Sequence, residues 1–165
     1  GAGLYAYFSD TETSSGNTFS AGTLDLKVDS ADDPDVAVYF ELEDVKPGDS
    51  GSENIVLSND GSIDGVASLT FTNVVDVPGG TPEPEPTPDN GELSENLYIK
   101  IIVGGETIAK GFLSELTNAI RLGNLGAGKS ITVTISWSIP SGVGNEIMDD
   151  SVTFDILFSL EQAVG

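Results

Sequence analysis

The stretch ITVTISWSI, residues 131–139, alternates apolar and hydroxyl side chains along its whole length. Side chains of a β-strand point to the two faces of the sheet in turn, so this period of two is typical of a strand with one buried face. The apolar positions are Ile131, Val133, Ile135, Trp137 and Ile139. The stretch therefore predicts a strand of a sheet that covers a hydrophobic core.

Similar short runs recur along the chain between clusters of glycine, asparagine, aspartate and proline, which indicates antiparallel strands. The predicted strands are residues 4–9, 21–28, 36–43, 52–59, 65–74, 96–103, 130–139 and 151–160. Eight such strands predict an all-β fold, a jelly-roll-like sandwich of two sheets. In the last strand we assign Val152, Phe154, Ile156 and Phe158 to the buried face, and Leu157 and Leu160 to the other.

The connections carry their own signals. Turn residues predict reversals at Asn59-Asp60-Gly61 and at residues 46–49. Apolar residues spaced by three and four predict one short helix over residues 111–122, ended by Gly123. Five prolines and several carboxylates predict a stiff, acidic surface loop over residues 77–92.

Residues 123–130, GNLGAGKS, match the phosphate-loop pattern letter for letter. A phosphate loop needs a helix after it, because the amino end of that helix faces the phosphates. Here the strongest predicted strand follows instead. We interpret the stretch as a glycine-rich connection, and we do not predict nucleotide binding.

Charge and composition exclude several functions. The 165 residues contain six Lys plus Arg and 27 Asp plus Glu, a formal net charge of −21. Nucleic acids and anionic membranes are repelled by such a surface, and self-association needs counter-charges. Cysteine and histidine are absent, which excludes thiolate nucleophiles, disulfides and imidazole metal sites. No apolar run is long enough for a membrane-spanning helix.

Two acidic clusters offer the oxygen ligands that Ca²⁺ prefers, although neither has the spacing of an EF-hand loop. One falls in a strand connection and the other precedes the last strand. The alternative is that each is a solvated loop of an acidic protein. The calcium candidates are Asp29, Asp32, Asp33, Asp35, Asp149 and Asp150.

Residues 7–26, YFSDTETSSGNTFSAGTLDL, resemble the opening of mature TasA/camelysin-like secreted proteins, which include archaeal bundling-pilus subunits. Later stretches that resemble the same family are Pro47–Gly51, Asn59–Ser62 and the region from Gly144 to Gln162. The small residues Gly1-Ala2-Gly3 are those expected beside a signal-peptidase cut, so we expect a secreted, extracellular or cell-surface protein.

The resemblance implies a subunit of an extracellular filament, pilus-like or in a biofilm matrix. Residues 1–10 would be a strand donated to the next subunit, and residues 11–165 a single jelly-roll domain. Copies of the same chain are then the partners, and the sequence leaves open whether the filaments bundle. Some members of the family are described as peptidases, but this chain has no histidine for a His-Glu-x-x-His zinc site, so we expect no enzyme activity. The implied polymer interface is Leu4, Tyr5, Ala6, Tyr7 and Phe8.

Two alternatives remain from the sequence. One is a monomeric, secreted, calcium-dependent surface-binding module, and the other is a secreted hydrolase that uses paired carboxylates. The alternating pattern alone slightly favours pairing of residues 4–9 within their own sandwich, because sandwiches commonly begin with an edge strand, and it is the family resemblance that favours donation.

Overall fold

The computed structural model describes residues 3–9, 26–28, 31–32, 35–43, 45–78, 91–144, 147 and 149–163, and it describes side chains from residue 40 onward. The strands are β1 Gly3–Ser9, β2 Leu26–Val28, β3 Ala31–Asp32, β4 Asp35–Glu43, β5 Ser50–Asn59, β6 Gly65–Val77, β7 Tyr98–Val103, β8 Glu106–Phe112, β9 Ile120–Leu125, β10 Ser130–Ser138 and β11 Ser151–Gln162. A short helix, α1, covers Leu93–Asn96, and a single 3₁₀ turn covers Leu113–Glu115.

The strands form two antiparallel sheets. The first sheet has the order β1-β4-β11-β6-β9, and the second has the order β3-β2-β5-β10-β7-β8. The chain passes from one sheet to the other at four connections in these regions: β4 to β5, β5 to β6, β9 to β10 and β10 to β11. The predicted all-β sandwich of two sheets is confirmed.

The inner faces of the two sheets enclose the core. In β10, Val133, Ile135 and Trp137 are buried, and so is Ile139 directly after it, as the alternation predicts. In β11 every second residue from Val152 is buried. That series includes Leu160, so its assignment to the other face is wrong. The residue lies an even number of positions from Val152 and shares its face.

Aromatic rings fill the centre of the first sheet's inner face. The rings of Phe40 and Phe154 stack with centroids 5.3 Å apart. Phe71 meets Phe154 edge to face at 5.9 Å. β4, β11 and β6 are therefore joined by side-chain packing as well as by their hydrogen-bond ladders.

A bulge interrupts the pairing of β6 with β11 beside this cluster. Thr153 lies opposite Val75 and Asp155 opposite Thr72, so two residues of β6 face the single residue Phe154. One of the two, Asn73, has a φ of 52°. Its side-chain amide donates a hydrogen bond to the Asp155 carboxylate at 2.8 Å, which holds the bulge in place.

Both predicted turns exist. At residues 46–49, the Asp49 N–H donates to the Lys46 carbonyl at 2.9 Å and Gly48 has a φ of 88°, as a Pro-Gly turn requires. Asn59 is fully buried and its side-chain amide donates to the carbonyls of Ile63 and Leu125. This turn carries the chain from the second sheet to the first, and its amide bonds tie it to the end of β9.

The predicted helix over residues 111–122 is wrong. Phe112 ends β8, Leu113 begins the 3₁₀ turn, and Ile120 begins β9. Leu113 and Leu122 are buried, while Leu116 and Ile120 are partly buried. The apolar residues at the end of β8, in the 3₁₀ turn and at the start of β9 are thus buried at spacings of three and four, which are also the spacings of one face of a helix. The short helix α1 lies instead at Leu93–Asn96, where residues 93–95 fall between the predicted loop and the predicted strand and residue 96 falls in that strand.

Candidate assembly interface

The predicted donor strand, β1, lies at the edge of the first sheet in its own chain. It pairs antiparallel with β4, from Gly3 opposite Glu43 to Ser9 opposite Ala37. Within the described strands β4 alone borders it. The five predicted interface residues, Leu4 to Phe8, lie opposite residues 42 to 38 in turn. In the single chain, this segment therefore completes the sheet to which it is attached.

β4 forms the slot that β1 occupies. Its other side pairs with β11, from Leu42 opposite Val152 to Asp35 opposite Ser159. Phe40 and Leu42 are both 0% exposed, and they stand opposite Ala6 and Leu4. Without β1, the nine-residue strand β4 would become the sheet edge, with a row of unpaired backbone groups. Such an edge accepts an added strand from another chain.

The segment between β1 and β2, residues 10–25, lies outside the described residues, and so does the predicted boundary between residues 10 and 11. Its length still sets how far β1 reaches. Seventeen Cα steps separate Ser9 from Leu26, and a fully extended chain spans at most about 3.3–3.6 Å per residue, or about 55–60 Å. A compact domain of this length is only about 40 Å across.

The structure describes four of the six calcium candidates. Asp29 and Asp33 lie outside the described residues. Asp32 is in β3, opposite Lys27, and Asp35 begins β4, opposite Ser159. Asp149 and Asp150 precede the other end of β11. Nine residues of strand separate positions 150 and 159, which is about 30 Å at 3.3 Å per residue, so Asp35 and Asp150 cannot share an ion.

Asp150 has a structural partner. It is 1% exposed, and its Oδ2 accepts a hydrogen bond from the Glu92 N–H at 3.0 Å. Asp76, at the end of β6, accepts from both the N–H and the hydroxyl of Ser94. These two carboxylates hold the start of α1 against the sandwich, a role that the sequence analysis missed. Among the described residues, no group of three or more His, Cys, Asp or Glu is placed to hold a metal ion.

The GNLGAGKS stretch runs from β9 through a turn into β10. The Gly128 N–H donates to the Asn59 carbonyl at 2.7 Å, and the Asn59 N–H donates to the Lys129 carbonyl at 3.0 Å. Backbone groups of this stretch therefore form hydrogen bonds with Asn59, where the chain passes between the two sheets. The interpretation as a connection holds, although a strand and not the predicted helix precedes it. The acidic loop predicted over residues 77–92 lies largely outside the described residues, which resume at residue 91.

No helix in the described part of the chain is long and apolar enough to cross a membrane. Comparison with known proteins identifies the family to which the chain belongs. The family model for camelysin metallo-endopeptidase matches residues 1–110 of the 165. The chain belongs to this family, whose members are secreted or surface-associated and include TasA-like structural proteins. A search of curated proteins finds no match.

Proposed function

We propose that the chain is a structural subunit of an extracellular filament and polymerises by donating β1 to the β4 slot of a neighbouring copy. The observation that supports the proposal most is the position of β1. It is an edge strand bordered by β4 alone among the described strands, and residues 10–25, the tether that joins it to β2, are numerous enough to exceed the width of the domain when fully extended. Membership of a family with TasA-like structural proteins supports the same function.

Exchange of β1 keeps the contacts that the single chain already makes. The same strand enters the same slot in the same register, so the change costs little beyond the loss of the tether, as in domain swapping. Each chain then gives one strand and receives one. Such a head-to-tail contact builds an open polymer unless its rotation closes a ring.

The energies explain why additional contacts matter. Each ladder hydrogen bond contributes about 0.5–1.5 kcal/mol net, and each buried Leu or Phe about 1.5–3 kcal/mol. These terms are the same in the single chain and in the polymer. The equilibrium between the single chain and the polymer therefore depends on the tether, which gives β1 an effective concentration at its own slot of order millimolar. Dilute chains should stay self-paired, and further contacts between copies should favour the filament.

The proposal assigns no peptidase activity. The family's description names a metallo-endopeptidase, but zinc peptidases of the His-Glu-x-x-His type take two ligands from histidine. This sequence contains no histidine and no cysteine. A structural role uses the features that the chain does have.

A disulfide staple tests strand donation directly, because the chain contains no cysteine of its own. Tyr5 and Glu41 are register partners, and partners in an antiparallel ladder have Cα atoms about 4.5–5.5 Å apart, within disulfide reach. The double variant Tyr5→Cys/Glu41→Cys, oxidised while dilute, should stay monomeric by negative-stain microscopy. After reduction and concentration it should form filaments.

The same variant shows which chain supplies the strand. Filaments assembled in reductant and then oxidised should give a ladder of covalently linked chains on a denaturing gel. Single Tyr5→Cys is the matched control and should give no ladder. Deletion of residues 1–9 should abolish filaments. If the deleted chain forms filaments as well as the full chain, or if assembled filaments yield only internally linked monomers, donation is wrong.

The pairing of β1 within its own chain favours a second candidate, a monomeric secreted surface-binding module. Calcium binding by residues 29–35 stays a prediction and belongs to this candidate. Melting curves with chelator and with millimolar Ca²⁺ test it, because an ion bound only by the folded state raises the melting temperature. Chains that remain monomeric at every salt and calcium concentration would favour the module over the filament.

A further inference from the structure

Two neighbouring rows of side chains cross the outer face of the second sheet. The register of β5, β10, β7 and β8 puts one outward position of each strand into each row. The lysine row consists of Ser52, Ser136, Lys100 and Lys110. The aromatic row lies two residues further along each strand and consists of Ser50, Ser138, Tyr98 and Phe112. Each of these side chains is exposed or partly exposed, so both rows are open to a ligand.

The lysine row carries a local positive charge on a chain whose net charge is −21. Lys100 and Lys110 lie directly opposite each other on β7 and β8, and both are exposed. Within the described part of the chain, neither forms an ion pair. Like charges opposite each other destabilise a ladder. A carboxylate bound between the two ammonium groups would remove this repulsion and accept a hydrogen bond from each.

The carboxylates of the chain itself lie away from the lysine row. On β5, β7, β8 and β10, no outward position carries Asp or Glu. At the far edge of the sheet, β3 places Asp32 on the same face, opposite Lys27. Lys27 lies opposite Ser58, six residues along β5 from Ser52, which is about 20 Å at 3.3 Å per residue. This distance exceeds the Debye length of about 8 Å at physiological salt, so Asp32 repels an anion at the lysine row only weakly.

The groups around the two lysines favour a sugar as the carrier of the carboxylate. Serine hydroxyls donate and accept hydrogen bonds, as the hydroxyls of a sugar do. Tyr98 and Phe112 pack edge to face with centroids 5.2 Å apart, and their partly exposed rings offer contact surface to the apolar side of a sugar ring. Neighbouring strands are about 4.8 Å apart, which is close to the length of one residue of a polysaccharide. Successive sugars can therefore meet successive strands.

Two other kinds of anionic partner suit the rows less well. An extended acidic peptide joins a sheet through an open strand edge, but β10 and β7 are paired on both sides. Their backbone groups are therefore not available to it. Nucleic acid binding depends on several phosphate contacts at once, and the net charge of −21 opposes it. A polysaccharide with widely spaced carboxylates needs only one pair of lysines.

We propose that the two rows bind a polysaccharide that contains uronic acid. Lys100 and Lys110 bind the carboxylate, Ser136 bonds to sugar hydroxyls, and Tyr98 and Phe112 contact the apolar side of a sugar ring. The inference goes beyond the proposed filament and does not depend on it, because both rows belong to one chain. It is therefore testable with the dilute, full-length monomer.

Calorimetric titration with a hyaluronan hexasaccharide, in which uronic acid alternates with a neutral sugar, tests the inference. The unmodified chain should bind it, and Lys100→Gln/Lys110→Gln should bind it about tenfold more weakly, because two charge-assisted hydrogen bonds are lost. Arg121→Gln/Lys129→Gln is the matched control, since it removes the same charge at two exposed residues outside the rows. This control should bind within about twofold of the unmodified chain.

Stability and charge are controlled separately. Lys100→Gln/Lys110→Gln should melt no lower than the unmodified chain, because it removes a like-charge pair, so weaker binding would not reflect unfolding. Lys100→Arg/Lys110→Arg keeps both charges and should keep the binding. A row that only stabilises the sheet would change the melting temperature and leave the titration unaltered.

Three other ligands show what the rows recognise. The methyl ester of the hexasaccharide has no charge, so it should bind more weakly and with the same affinity to the unmodified chain and to Lys100→Gln/Lys110→Gln. Hexaglutamate and hexathymidylate should both bind more weakly than the hexasaccharide. Equal binding of hexaglutamate would indicate an acidic protein as partner, and equal binding of hexathymidylate a phosphate ligand, and either result would overturn the inference.

Three results with the hexasaccharide itself would also overturn the inference: no binding by the unmodified chain at millimolar concentration, undiminished binding by Lys100→Gln/Lys110→Gln, or an equal loss in Arg121→Gln/Lys129→Gln. Amide NMR spectra of the titrated monomer locate the contact. The largest shifts should fall on residues of the two rows, and shifts confined to the first sheet would contradict the assignment.

Discussion

β1 and β11 lie in the same sheet with only β4 between them, yet they are held very differently. β11 pairs with β4 on one side and with β6 on the other, and every second side chain from Val152 to Leu160 is buried. β1 pairs with β4 alone among the described strands. Replacing β11 would break two ladders and open the core, whereas replacing β1 breaks the one ladder with β4. One sheet thus combines a fixed strand, which is paired on both sides, with a strand that is paired on one side among the described strands.

The largest effect should come from the fixed strand. Phe154→Ala removes the ring that stacks on Phe40 and meets Phe71, and it should lower the free energy of unfolding by about 3–5 kcal/mol, as large-to-small changes in cores do. Thr153→Ala, on the outer side of the same strand, should cost within about 0.5 kcal/mol. Denaturant unfolding of dilute monomer measures both. Equal costs for the two variants would contradict a fixed β11.

An intermediate effect should appear in amide hydrogen exchange of the dilute monomer. Amides of β11 should exchange only through global unfolding, because both sides of the strand are paired. Amides of β1 should exchange through local opening, at a free energy lower by at least about 2 kcal/mol. Mass spectrometry of peptides from the two strands measures the difference. Equal protection would show that β1 is as fixed as β11, and strand exchange would then require global unfolding.

The smallest effect should come from the bulge that joins β6 to β11. Asn73→Ala loses the hydrogen bond to Asp155 and puts alanine at a φ of 52°, so it should cost about 1–2 kcal/mol. Asn73→Gly loses the same hydrogen bond but tolerates this backbone conformation, so it should cost less. Thermal melts of the two variants give the order. A more costly glycine would mean that the conformation at residue 73 does not limit stability.

Local alternation predicted the core strands because it needs no knowledge of the partner strand. The faces of residues 131–139 and the positions of seven of the eight predicted strands follow from a period of two, whereas the predicted strand 21–28 is described only over Leu26–Val28. The edge strand β8 escaped detection because its three polar residues, Glu106, Thr107 and Lys110, do not alternate regularly with its apolar ones. The false helix at residues 111–122 arose because a turn between two strands brought buried leucines to a helix-like spacing.

An alternating pattern does not show which strands pair with each other when they are far apart in the sequence. The sequence of residues 3–9 does not indicate that Leu4 lies opposite Leu42. It also does not indicate that this strand pairs with β4 of its own chain. The separation of the two acidic clusters by the length of β11 also depends on the sheet order. The opposed lysines of β7 and β8 are ten residues apart in sequence, and only the bulged pairing of that hairpin brings them together.

The central place of β11 also affects when the protein is able to fold. β4 and β6 are its two neighbours in the sheet, and both are synthesised long before Ser151. Until residues 151–162 have left the ribosome, β11 is not available to pair with β4 and β6. The aromatic core, which includes Phe154, is incomplete until then. Contacts between such distant segments form slowly. The first sheet therefore lacks its central strand for most of the synthesis of the chain, and an incomplete sheet of this kind suits passage through a narrow export channel.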